Sequence, residues 1–170
     1  MKALRTTEIK IIGAFLLVSG VLGFFVFLPR VFPLDNLISF LSIFPTFVFG
    51  LTFYAGYLLL LKEDERGLEI GRSVVAMQLL NFKIGGLGYS FITGAYVFFG
   101  FVNLHGGLNF GLETEFTVAL SEDSTFIFRI NILALAVFIY LTRTMRKIEE
   151  RIEYEEKIES SATEPPAQNS

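Results

Sequence analysis

Cysteine is absent from this 170-residue chain, and histidine occurs once, at His105. The first absence excludes disulfides and thiol nucleophiles. The second leaves too few ligands for a zinc site and no partner for a histidine-activated nucleophile. Charge is scarce as well: 18% of residues, a net charge of −3, and no broad basic surface of the kind nucleic-acid binding requires. No Asn-x-Ser/Thr acceptor occurs either. Together with the missing cysteines, this points to a bacterial plasma membrane rather than a eukaryotic cell surface. Nothing in such a residue set calls for a cofactor or a metal.

What is present is apolar. Hydrophobic residues make up 52% of the chain, with twenty Phe and six Tyr, and the mean hydropathy is positive. A soluble domain of this length rarely has that composition.

A first apolar run, residues 11–28, follows Lys2, Arg5 and Lys10. The Pro29-Arg30-Val31-Phe32-Pro33 segment behind it offers no small-residue cleavage site, so the run reads as an uncleaved span. Gly13, Gly20 and Gly23 share one helical face with Leu16 and Leu17, which lets a neighbouring helix approach closely. A turn through Pro33, Leu34, Asp35 and Asn36, with Asp35 or Asn36 as a helix cap, leads to a second run at 37–61. Ser39, Ser42, Thr46 and Gly50 give this run a mildly polar stripe suited to another helix, and Pro45 is expected to kink it. A charged connection, residues 62–72, follows, in which Gly67 can end one helix.

The stretch from Leu68 to Leu104 is too long for one ordinary span: as a straight helix it would rise about 55 Å, against a hydrocarbon core of roughly 30 Å. Either it tilts or it breaks, and the break is preferred. An amphipathic helix then lies on the cytoplasmic face, with Gln78 and Asn81 in its polar stripe and Lys83 near the headgroups, before a true span at 84–104. On that span, Gly86, Ser90 and Gly94 form two small-xxx-small pairs for helix packing.

After Leu104 the period changes to two. Leu108, Phe110, Leu112, Phe116, Val118 and Leu120 alternate with polar or small residues, Ser121 to Ser124 is a turn, and Phe126, Phe128 and Ile130 alternate again. This predicts a β-hairpin on the outer face, with Arg129 opposite Thr117 and diagonal to Glu115, within reach of an ion pair. The rival is a last span that starts at Thr125. A span at 130–147 leads into a charged helix whose apolar stripe, Met145, Ile148 and Ile152, is available to a partner protein, and residues 160–170 read as a disordered tail.

Basic residues decide the orientation. There are three before the first run, three in the 62–72 connection and five in the carboxyl segment, while Arg30 and Arg129 alone fall on the other side. The expectation is therefore an all-α integral membrane protein with both termini cytoplasmic. Its four-transmembrane-helix bundle occupies residues 1–147, with spans near 11–28, 37–61, 84–104 and 130–147 and an outer hairpin near 108–131. The amphipathic helix precedes the third span, and a cytoplasmic helix at 148–159 follows the fourth.

Such a layout suits a non-enzymatic scaffold or transmembrane sensor subunit. It would be a homo-oligomer in the bilayer, engaging partners through the cytoplasmic helix and the outer hairpin. The alternative is a small oligomeric channel lined by Gln78, Asn81 and Lys83. Catalysis is not expected, because the spans carry serines and tyrosines but neither acid nor histidine near them.

Overall fold

A computed structural model describes residues 7–32, 37–120 and 125–163. Two long apolar helices come first: α1 (Thr7–Val31) and α2 (Leu37–Tyr57), the latter prolonged by a π-turn over Leu58–Lys62. They pack as an antiparallel pair. The glycines of α1 make the close approach possible: a Cβ on Gly20 would collide with the Phe53 backbone, and Gly56 of α2 meets the Leu17 backbone in the same way. The second helix ends at Glu63, which adopts the left-handed cap conformation at φ 52°. Gly67, expected to end a helix, instead lies inside α3 (Arg66–Met77).

The amphipathic α3 buries Leu68, Gly71, Val74 and Val75 against the helices around it and leaves Glu69 and Ser73 exposed. It stops at Gln78, well short of the glycines. From there the chain turns extended: β1 (Leu80–Ile84), β2 (Leu87–Val102), β3 (His105–Leu120) and β4 (Ile127–Asn131) form one antiparallel sheet, and α4 (Ile132–Thr163) follows.

The sheet overturns the all-α, four-span bundle. Residues 84–104, read as a span, are the end of β1 and the whole of β2. The physical reason lies in their composition, Tyr, Phe, Ile, Thr and Val interrupted by Gly88, Gly94 and Gly100. Aromatic and β-branched side chains fit a pleated surface, while interior glycines weaken a helix. The expected last span fails for a different reason. Only thirteen uncharged residues, 130–142, lie between Arg129 and Arg143, against the roughly 20 a crossing needs, and the first two of them belong to β4. Among the described residues, two helical stretches, Thr7–Val31 and Ser42–Lys62, are long and apolar enough to cross a membrane.

The strand order is β1-β4-β2-β3, and β1 also pairs with β2. Three strands thus close on one another, β2 pairing with β1 through residues 87–89 and with β4 through residues 98–102. Between the two contacts β2 bends at Gly94, whose φ of +79° suits glycine. The turn from β1 to β2 is Gly85-Gly86, both at positive φ, the two-residue connection whose twist matches an antiparallel pair.

The predicted outer hairpin also changes partner. β3 is a strand, as the alternation indicates, but it pairs with β2 along its whole length, Leu87 opposite Leu120 through Val102 opposite His105. Arg129 therefore stands opposite Gly100 and Asn81, not Thr117, and β2 lies between it and Glu115. Period-two patterning specifies which face of a strand is apolar, and any partner of matching parity satisfies it.

Two apolar clusters join the layers. Ile9, Leu16, Leu59, Leu68, Leu141 and Ile148 unite the helices, while Phe27, Phe49, Val74 and Phe91 tie the sheet to the half of the helical pair that holds the end of α1 and the start of α2. α4 is continuous to Thr163, so the expected tail begins helical. The turns at 33–36 and 121–124, Lys2, Arg5 and the end of the tail lie outside the described residues.

Candidate functional site

Polar groups converge where α3 meets the sheet. Gln78, the last residue before the chain turns extended, donates from Nε2 to Thr93 Oγ1 at 2.8 Å, and both are sealed from solvent. One strand over, Asn81 Nδ2 donates to Ser90 Oγ at 2.8 Å, and the Tyr89 hydroxyl donates to the Met77 carbonyl at 2.8 Å. Burial pushes the Tyr89 phenol up to about 12.

Asn131 closes this junction. Its Oδ1 accepts from Ala134 N at 3.2 Å, capping α4, and from Val97 N at 3.3 Å. Its own N–H donates to the Leu79 carbonyl at 2.9 Å. Among the described residues the buried Nδ2 group has no partner. A buried amide capping a helix and tying β2 and β1 to it is an architectural device. The hydrogen bonds of this junction join amides, hydroxyls and the weakly acidic Tyr89, so the arrangement holds the fold together and offers no general acid or base at neutral pH.

The residues singled out for a pore lie on different elements. Gln78 points into the sheet junction, and Asn81 and Lys83 sit on β1, Lys83 opposite Gly88 and Ile127. The residues expected to pack helices have other duties too. Gly86 is a turn residue, Ser90 accepts from Asn81, and a Cβ on Gly94 would lie 2.6 Å from Ser19 Oγ, so Gly94 lets β2 cross α1.

Met145 and Ile148, expected to serve a partner, pack into the core cluster with Ile9 and Leu68. Ile152 stays exposed. It rims a cavity of about 80 Å³ shared with Glu65, Leu68 and Glu149.

Three surface features remain. The first is the open side of the α1–α2 pair, where Ile11, Val18, Leu22 and Phe25 follow one another at helical spacing and Phe25 is 68% exposed. A groove of about 380 Å³ between Phe24, Leu28, Phe47 and Gly50 runs along it. The second is a 440 Å³ pocket walled by Phe27, Phe44, Pro45 and Phe116, with Arg30 stacked over the Phe27 ring at 4.9 Å. The third is the outer edge of β3, with Phe110 and Leu112 exposed at 74% and 84%. The sequence held a signal for the last in its unbroken alternation from Leu108 to Leu112, read there as a hairpin face. It held one for Asn131 as well, an Asn directly before an apolar helix start.

The chain matches no known family, no curated protein and no solved structure.

Proposed function

We propose that this chain is a membrane-anchored, non-enzymatic scaffold or sensor subunit, held in the bilayer by the α1–α2 pair. The observation that carries this is the charge bracket around the open apolar face. Lys10, paired with Glu63 at 3.4 Å, and Lys62 stand at one end, and Arg30 at the other. Twenty residues separate Lys10 from Arg30, a rise of about 30 Å, which is the hydrocarbon thickness. Large side chains such as Phe25 and Phe47 facing outward between those charges fit lipid and do not fit water.

The end marked by Lys10 faces the cytoplasm of a bacterial cell. Lys62, Arg66 and Arg72 gather there, and Ile148 belongs to the same buried cluster as Ile9, which brings Arg143, Arg146 and Lys147 to the same side. The charged part of α4 then emerges into the cytoplasm as a helix braced by Arg146–Glu150 and Arg151–Glu155 pairs, each about one turn apart. Tyr154 and Ile158, one helical turn apart, are exposed on one face of it and form its docking surface for a protein partner. In this reading Gln78 and Asn81 serve the fold, their amides bonded to the chain's own hydroxyls.

Membrane fractions washed in alkaline carbonate and floated with lipid test the anchor, with single cysteines reporting the side. The protein should stay with lipid, Phe32→Cys should react with an impermeant thiol reagent on intact cells, and Tyr154→Cys should react only after lysis. Release into the wash, or the reverse labelling, would sink the reading.

A further inference from the structure

The closure of β1, β4 and β2 leaves β3 as the strand with an open side: among the described residues its ladder runs only to β2. Exposed edges in proteins are ordinarily blunted by shortness, lysine, proline or a bulge. β3 has none of these. It is 16 residues long, contains no Lys, Arg or Pro, and keeps one register with β2 from end to end.

The outward groups can be identified. The turn joining β2 to β3 is the two-residue Asn103-Leu104, both at positive φ, flanked by Val102 opposite His105. The pair that closes such a turn is hydrogen-bonded, so odd-numbered residues of β3 direct their backbone toward β2 and even-numbered ones direct theirs outward. The exposed part of the edge, from His105 to Glu113, thus presents the backbone of Gly106, Leu108, Phe110 and Leu112 together with an apolar row.

We infer that this edge is completed by the same edge of a second copy, antiparallel, on a two-fold axis at Phe110. A second copy satisfies the parity automatically, because even residues face even residues and the apolar rows of both sheets join into one. Charge selects the register. Centred on Thr114, the pairing would set Glu113 against the partner's Glu115 twice, a like-charge pair that destabilises. Centred on Asn109, it would push Glu115 against the turn residue Asn103, outside the ladder. Centred on Phe110, it sets Glu115 opposite the partner's His105 and Glu113 diagonal to the same ring, with Leu108 on the partner's Leu112. The His105 Nδ1–H donates to the Asn103 carbonyl at 3.0 Å, so Nε2 is the nitrogen left for the incoming carboxylate, and it donates to that carboxylate when the ring carries a proton on both nitrogens. Residues 106–114 of each strand then exchange about ten backbone hydrogen bonds. The pairing depends on β3 alone and is independent of how the helical pair sits in lipid.

The natural absence of cysteine makes the test clean. Asn109 would face the partner's Gly111 in a non-hydrogen-bonded pair, with Cα atoms about 4.5 Å apart, within disulfide range. Asn109→Cys and Gly111→Cys chains carrying different tags, mixed in mild detergent and oxidised, should cross-link to each other several-fold faster than either does to itself. Leu112→Pro removes an outward N–H that β2 does not use, and should give a monomer by native mass spectrometry with an unfolding transition close to wild type. Glu115→Lys should weaken the dimer roughly tenfold. A monomeric wild-type protein, equal cross-linking in every combination, or a Leu112→Pro protein that folds and remains dimeric would overturn the proposal.

Discussion

Gln78 and Thr93, fifteen residues apart, meet side chain to side chain at 2.8 Å where α3 gives way to the sheet. Neither has water to fall back on, with exposures of 3% and 0%. Removing one partner strands the other, which costs about 1–3 kcal/mol. Gln78→Ala should therefore destabilise by about that amount plus a cavity term. Gln78→Met combined with Thr93→Val should lose much less than the sum of the single changes. Denaturant unfolding of the four proteins in detergent gives the coupling directly, and strict additivity would refute the bond's importance.

Gly20 and Gly86 separate two kinds of glycine requirement. At Gly20 a side chain meets the Phe53 backbone, which cannot yield without parting α1 from α2. Gly20→Val should cost about 3 kcal/mol or more and expose the helical pair to protease. Gly86 sits at φ +86° in a turn, so Gly86→Leu should cost about 1–2 kcal/mol from backbone strain alone. Its particle size in detergent should stay that of wild type; a change would restore a packing role for that residue.

Asn131 caps α4 and holds β2 with one oxygen. Asn131→Ala should lower stability by about 2 kcal/mol, at the upper end for a lost cap. Hydrogen exchange should show the loss concentrated at residues 97 and 132–135. Protection unchanged at those amides would mean that the cap contributes little.

Tyr89 sets an alkaline limit. Its phenol ionises near 12 in the folded protein, raised by burial from the ordinary value of 10.0. A raised folded value means that the folded state holds its proton longer than the unfolded chain. Its contribution is complete below pH 10 and is lost as pH rises from about 10 through 12. Tyr89→Phe should unfold less steeply than wild type across that window, at the cost of the bond to Met77. Parallel pH profiles for the two proteins would contradict this.

How much of this was legible can be seen residue by residue. The glycine face of α1 and the amphipathic character of α3 follow from spacing, because a helix repeats every 3.6 residues whatever surrounds it. Glu63 as the cap of the second helix was not legible, since a left-handed glutamate is held by its surroundings. Residues 84–104 resemble a span because hydropathy over a window counts Phe and Val as lipid-facing without asking whether glycines and β-branched neighbours tolerate a helix. The Gly85-Gly86 pair between Ile84 and Leu87 was the available signal for a turn.

The sequence by itself determined the two long apolar helices, the charges that bracket them, the amphipathic α3 and the alternating faces of β3, all properties of contiguous residues. Only the tertiary structure decided that β3 pairs with β2 instead of β4, that Arg129 and Glu115 are kept apart by an intervening strand, and that Gln78 meets Thr93. Alternation fixes which side of a strand is apolar but is blind to the partner. The choice among partners of equal parity rests on loop lengths, on a bend such as that at Gly94, and on which apolar surfaces the helices leave uncovered.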